Sequence, residues 1–329
     1  MSLAPECRAF LAACAAETPR VDWASGVEAM RRANVARELR YDVQAPAMWR
    51  EHSASIAADH GAEVSLDLYV PKPPSAGPLG VLLFLHGGGW VMCSPASHAN
   101  MCRYLCARAG VIGVNVGYRL APEHRFPAAH HDVAAALDWI FGNISDYGGD
   151  GARIAVAGDS AGGNLAAVLA QAAACGEAPR LAAQALFYPS VAMGIRERFA
   201  SWNDFGGGEY GLSDSDAEWM TGLYLERAEQ RFDTWFNPIL ADRLEGAAPA
   251  LIISAECDPL RDEGQAYAAR LAANGVRVEA HCFPGMIHAF MSMAGAMPTA
   301  YRALDLAGDF IAAHAGGGCV MATETRCET

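Results

Sequence analysis

From Pro78 onward the apolar positions of the chain alternate between two patterns. "LGVLLFLHGGGW" is an unbroken apolar run stopped by glycines, and "GVIGVNVGYRL", "RIAVAGDS", "LAAQALFYP" and "PALIISAECDPL" repeat the theme. Between them, "PAAHHDVAAALDWIFGNI", "AGGNLAAVLAQAAAC" and "EGQAYAARLAANG" carry apolar residues at helical spacing; "VRVEAHCFPG" follows as a short strand. Strands that are apolar throughout are buried on both faces. Their alternation with helices predicts an α/β fold whose mostly parallel central sheet is covered by helices on both faces.

Two stretches break the rhythm. Residues 1–55 read as helices ahead of any parallel strand, followed by "EVSLDLYVPKPP", whose alternating polarity predicts an antiparallel edge strand. Residues 191–237 are rich in glycine and aromatics, as in "FASWNDFGGGEYGLSDSDAEWMTGLYLE". Segments of this kind gather above the carboxyl ends of parallel strands, where binding residues collect. The expected organisation is therefore cap helices over 1–55 and a body over 56–190 and 238–314. A cap insertion occupies 191–237, and a flexible tail covers 315–329.

The chain has 329 residues, of which 52% are hydrophobic, enough for a sizeable core. Its 24 basic and 37 acidic residues leave a net charge of −13, which disfavours nucleic acid and anionic membranes as partners. No window reaches the about 18 apolar residues of a membrane span. Glu6 and Arg8 interrupt the apolar N-terminal patch, so a cytoplasmic protein is expected. The ten cysteines contain no CxxC pair and read as reduced thiols. Neither a metal nor a cofactor is expected.

The chemistry centres on Gly158-Asp159-Ser160-Ala161-Gly162, placed between an apolar strand and a helical run. That context turns a common pentapeptide into a nucleophile elbow, where small neighbours let strand and helix backbones approach each other. A serine nucleophile needs a base, and the base needs an orienting acid. Of the downstream histidines, His281 is mid-strand and His314 lies in the last helix. His288 follows a strand in "FPGMIH", a loop position suited to a base. The acid belongs after the strand "PALIISA", where Glu256, Asp258, Asp262 and Glu263 compete. Asp258 is favoured because Pro259 fixes its turn, whereas Asp262 and Glu263 suit helix capping. "HGGGW" supplies exposed backbone N–H groups, so Gly88 and Gly89, with Ala161 after the serine, are the expected oxyanion donors. His86 is expected to hold that glycine loop.

Taken in order, "HGGGW", "YRLAPEHRFPAA", "GDSAGG", "DPLRDEG" and "GMIHAF" resemble the hormone-sensitive-lipase family of esterases, a branch of the α/β-hydrolase fold, over about Leu79 to Met291. The resemblance implies Ser160 as nucleophile, Asp258 as orienting acid and His288 as general base, under a helical cap. It implies hydrolysis of short- to medium-chain acyl esters, a small-molecule substrate, and compatibility with a homodimer. An amidase or a lipase is the alternative on the same fold. A non-catalytic receptor relative would lack the base that His288 supplies. In "YRLAPEHRFP", Arg119, Glu123 and His124 are expected to form a buried polar brace behind the oxyanion loop. Trp90, Tyr188, Trp202, Phe205 and Trp219 are the candidate pocket aromatics.

Overall fold

The computed structural model describes residues 2–16, 23–74 and 77–316. In chain order it forms α1 (Pro5–Ala16), α2 (Val27–Arg40), β1 (Arg50–Ala57), β2 (Glu63–Val70), β3 (Leu79–Leu85), α3 (Pro95–Ala109), β4 (Ile112–Gly117), α4 (Ala128–Asn143) and β5 (Gly149–Asp159). There follow α5 (Ala161–Cys175), β6 (Ala183–Phe187), α6 (Ala200–Phe205), α7 (Asp214–Tyr224), β7 (Ala250–Cys257), α8 (Arg261–Ala273), β8 (Val278–Ile287) and α9 (Ala300–Ala315). The tail expected over 315–329 lies outside the described residues beyond Gly316.

The continuous apolar runs become strands because both of their faces are covered. All seven residues of β3 are buried. Its Val81, Leu83 and Leu85 join one core with Val133 of α4 and Leu165 of α5, while Leu82 and Phe84 join a second with Met101 of α3 and Leu304 of α9. The sheet therefore has a separate hydrophobic layer on each side, as the period-two geometry of a strand requires.

The eight strands lie in the order β1-β2-β4-β3-β5-β6-β7-β8. β4, β3, β5, β6, β7 and β8 pair in parallel with their neighbours, whereas β1 pairs antiparallel with β2 and β2 antiparallel with β4. This corrects two expectations. The segment "EVSLDLYV" is not the sheet edge, because β1 pairs with it along its whole length. Residues 50–55, read as part of the helical N-terminal segment, belong to β1, whose polar, half-exposed residues are those of an edge strand.

The order also explains where a site forms. From β3 the chain goes first to β4 on one side and then to β5 on the other. Connections leaving a sheet in opposite directions open a crevice at the carboxyl ends of the two strands. Leu85 of β3 lies in register with Gly158 of β5, so the residues after these two strands, His86–Trp90 and Ser160, share that crevice.

Candidate active site

Ser160 sits between β5 and α5 with φ +53° and ψ −115°, a conformation strained for any residue with a Cβ. The crowding that enforces it is visible at the glycines. A Cβ on Gly158 would overlap the backbone of Gly162, and one on Gly162 would overlap the carbonyl oxygens of Leu85 and His86. A Cβ on Gly163 would meet Pro189 at 2.9 Å. Strand, turn and helix are thus in backbone contact. Ser160 N–H donates to the Phe187 carbonyl at 2.9 Å, which pins the turn to β6.

His288 lies immediately after β8. Its Nε2 is 2.9 Å from Ser160 Oγ and its Nδ1 is 2.8 Å from Asp258 Oδ2. Asp258 is fully buried just past β7, and its Oδ1 accepts the Leu260 N–H at 2.9 Å, fixing the carboxylate plane. With Nδ1–H donated to Asp258, Nε2 is left as an acceptor facing the serine hydroxyl. Burial alone would push the imidazole pKa down; the charge and hydrogen bond of Asp258 outweigh it, and the net shift is upward.

The competing candidates are engaged elsewhere. Glu256 accepts the Gly285 N–H at 2.7 Å, and Asp262 accepts the Ser201 N–H at 2.9 Å. Glu263 accepts from Val191 and Ala192 N–H at 2.8 and 3.1 Å and from Trp202 Nε1 at 3.3 Å. Burial pushes its carboxyl up to about 7. His281 is exposed on β8, and His314 lies 2.8 Å from the Phe310 carbonyl.

Opposite Ser160, Gly88 and Gly89 adopt φ of +104° and +62°. The loop is held by the N–H groups of Val91 and Met92, both donating to the Gly88 carbonyl, and by Gly87 N–H, which donates to Asp159 Oδ1 at 2.8 Å. None of these bonds uses the N–H of Gly88, Gly89 or Ala161. His86 is buried beneath the loop, its Nδ1 2.8 Å from the Gly87 carbonyl, and Tyr118 Oη donates to the His86 carbonyl at 2.7 Å.

The expected brace takes another form. Arg119 pairs with the buried Asp132, with bonds of 2.6–2.9 Å, but Glu123 and His124 are exposed. The group behind the glycine loop is Arg31 of α2, which sequence reasoning missed. Its Nε donates to the Val91 carbonyl and its Nη2 to the Ala121 carbonyl, each at 2.8 Å, while the guanidinium also pairs with Glu123. Both X-Pro bonds of the segment, Ala121-Pro122 and Phe126-Pro127, are cis.

Among the candidate aromatics, Tyr188 lies against His288, with ring centroids 5.1 Å apart. Trp90 is buried and stacks on Tyr224 of α7 at 4.7 Å, Trp202 reaches Glu263, and Phe205 packs edge-on against Tyr210. Trp219 is half-buried against the core shared with α4 and α5. Met220 of α7, also missed, occupies the place a Cβ of Gly89 would take. Asp159 and His98 were missed as well, although Asp159 stands inside the quoted "GDSAGG". One trio of metal-type donors occurs among the described residues: Glu38, Cys93 and His98. No helix among them is long and apolar enough to cross a membrane.

Residues 82–292 match the family described as alpha/beta hydrolase fold. An ethyl acetate hydrolase of Pseudomonas putida is 39% identical over 79% of this chain and 81% of its own length. A carboxylesterase of Mycobacterium tuberculosis, NlhH, is 37% identical over 85% and 87%. Among solved structures, an ester hydrolase from the metagenome of Lake Arreo, complexed with a bipyridine phosphonate derivative, superposes with a TM-score of 0.90. It is 33% identical, covering 95% of this chain and 99% of that one.

Proposed function

From the premise that this chain belongs to the α/β-hydrolase fold family, with the hormone-sensitive-lipase-like esterases, and is a carboxylic ester hydrolase, we propose that it cleaves short- to medium-chain acyl esters through an acyl-enzyme on Ser160. The observation that carries this reading is the bridge of His288 between Ser160 Oγ at 2.9 Å and Asp258 at 2.8 Å.

In the first step the Ser160 hydroxyl attacks the ester carbonyl carbon while its proton passes to His288 Nε2. The imidazolium so formed is stabilised by Asp258. The carbonyl oxygen, now an oxyanion, receives the N–H groups of Gly88, Gly89 and Ala161, with the N-terminus of α5 adding its positive end. Collapse of the intermediate breaks the bond to the alcohol oxygen, which leaves with the proton held on His288. Water then gives its proton to His288 and attacks the acyl carbon; the second collapse releases the carboxylic acid and returns the proton to Ser160.

The segments 191–237 and α1–α2 serve as the cap. Met220 crowds Gly89, and the neighbouring Trp90 stacks on Tyr224, which limits room for the acyl chain and favours short ones. Cys7, Cys93, Cys102, Cys106, Cys175, Cys257 and Cys282 are free thiols, which suits a reducing cytoplasm. The test is kcat/KM for p-nitrophenyl esters of increasing acyl length, with Ser160→Ala protein as blank. A maximum at short or medium chains, lost in the variant, supports the reading; blank-level rates at every length overturn it.

A further inference from the structure

Glu38, Cys93 and His98 bring three metal-type donors within 4.8 Å of one another, beneath the oxyanion loop. The hydrogen bonds of His98 give this cluster a different meaning. Ser97 Oγ donates to the Ser94 carbonyl at 2.9 Å and accepts the Ser94 N–H at 3.1 Å. With its proton on the Ser94 carbonyl, the same oxygen faces His98 Nδ1, 2.9 Å away, as an acceptor. In that arrangement Nδ1 carries a hydrogen. On the other side of the ring, Nε2 lies 3.4 Å from Asp159 Oδ1 and 4.0 Å from Glu38 Oε2. A nitrogen facing carboxylate oxygens carries a hydrogen too, which opposes a metal there. The two contacts together favour an imidazolium at His98, which is buried at 2% exposure.

Its partner gives that charge a use. Asp159 precedes the nucleophile and is itself 2% exposed. The same Oδ1 that faces His98 accepts the N–H of Gly87, the first glycine of the oxyanion loop, at 2.8 Å. Asp159 is thus one rigid link between the turn that carries Ser160 and the loop that carries Gly88 and Gly89. A carboxylate so deeply buried needs hydrogen bonds and nearby positive charge to stay ionised. If it took up a proton, its grip on Gly87 N–H would weaken, because a hydrogen bond to a charged acceptor is about twice as strong as one to a neutral acceptor.

We infer that His98 is a positioning residue for ester hydrolysis: as a buried cation it keeps Asp159 ionised, and Asp159 holds the oxyanion loop in register with Ser160. This rests on the esterase reading above. Glu38, near the C-terminal end of α2, is the second carboxylate facing His98, so the cationic ring also ties the N-terminal helix to the same point. The other titratable groups around the ring are Asp42 after α2, His86 after β3 and Cys93 after the glycine loop. Burial pushes His98 down, but Asp159, Glu38 and Asp42 together lift its pKa to about 9. The cation is present below that value and is lost as pH rises through it.

The test compares wild type with His98→Gln, which can still donate a hydrogen bond but carries no charge. Expected is a fall in kcat of about 10- to 100-fold with KM within about twofold, the scale of a misplaced reacting group and less than the loss of an oxyanion donor. The wild-type kcat should decline above about pH 9, and the variant should show no such decline. Unchanged kcat, or a variant that keeps the alkaline decline, overturns the inference. Spectra of 15N-histidine-labelled wild type at pH 8, assigned with the variant, ask the question without turnover. Two ring N–H protons on His98 uphold the inference; one overturns it, whatever becomes of the esterase reading. If the variant does not fold, labelling Asp159→Asn protein asks whether His98 loses its second proton with its partner, as expected; retention of both overturns the pairing.

Discussion

A methyl group added at Gly162 would land on the carbonyl oxygens of Leu85 and His86, whereas one added at Gly89 would meet the thioether of Met220. One glycine belongs to the elbow that carries Ser160 and the other to the glycine loop after β3, yet the first faces backbone and the second the far end of a flexible side chain. The Ser160 side of the site is set by main chain packed on main chain, in the middle of a parallel sheet. The cap side is set by side chains of α7 leaning on the glycine loop. Backbone cannot retreat without breaking sheet hydrogen bonds, but a methionine can change rotamer. The nucleophile side is therefore rigid, and the cap side is adjustable.

Substitution at the two glycines exposes that difference directly. Gly162→Ala should cost at least about 3 kcal/mol, beyond the usual range for overpacking because carbonyl oxygens cannot move aside; urea unfolding of the purified variant measures it. Gly89→Ala should cost only about 1–2 kcal/mol, the strain of a left-handed Ala, and should raise KM more than it lowers kcat because the N–H is retained. Equal losses at both positions would break the comparison.

Acid pH sharpens it further. His130 of α4, a body residue facing the cap, contacts the Trp235 carbonyl, Asn164 and Tyr224, and burial holds its pKa down at about 4. His86, on the body side, is held at about 3 by burial and by the charge of His98. Both are neutral in the fold, while the unfolded chain takes up protons near pH 6.5. Their contribution to stability is complete above that pH and falls as pH drops through the window below it. Melting temperature should decline from pH 6.5 toward pH 4, and Trp235, stacked on His130 at 5.5 Å, should report the cap side in its fluorescence. A flat profile would contradict these buried neutral rings. The smallest effect is expected at the rim: Glu123 is 51% exposed, so Glu123→Gln should change stability by less than about 1 kcal/mol in a thermal melt.

The same difference decides what could be read before the structure. Backbone constraints leave marks in sequence: the glycines at 88, 89, 158 and 162 record close approaches, and the all-apolar β3 and β7 record burial on both faces. That is why Ser160, Asp258 and His288, more than a hundred residues apart at their extremes, were individually legible as candidates. Side-chain packing leaves no such mark. Met220 sits in an amphipathic helix like any core residue, and His98 is one polar position on α3, 61 residues before the carboxylate it faces. The polar run "REHSASIA" looks unlike a strand because an edge strand needs no apolar face on its solvent side, so its sequence alone groups it with the helical segment. Arg31 reaches the glycine loop only because α2 folds back across it, a tertiary fact with no local signature.

In the proposed reaction Ser160 Oγ is the atom that takes the acyl group. Intact-protein and peptide mass spectrometry after reaction with a p-nitrophenyl alkylphosphonate tests it most directly. The expected result is one phosphonyl adduct per chain, on the peptide containing Ser160, formed in step with loss of esterase activity and absent from Ser160→Ala. An adduct on any other residue, or ester turnover persisting in Ser160→Ala, would contradict it.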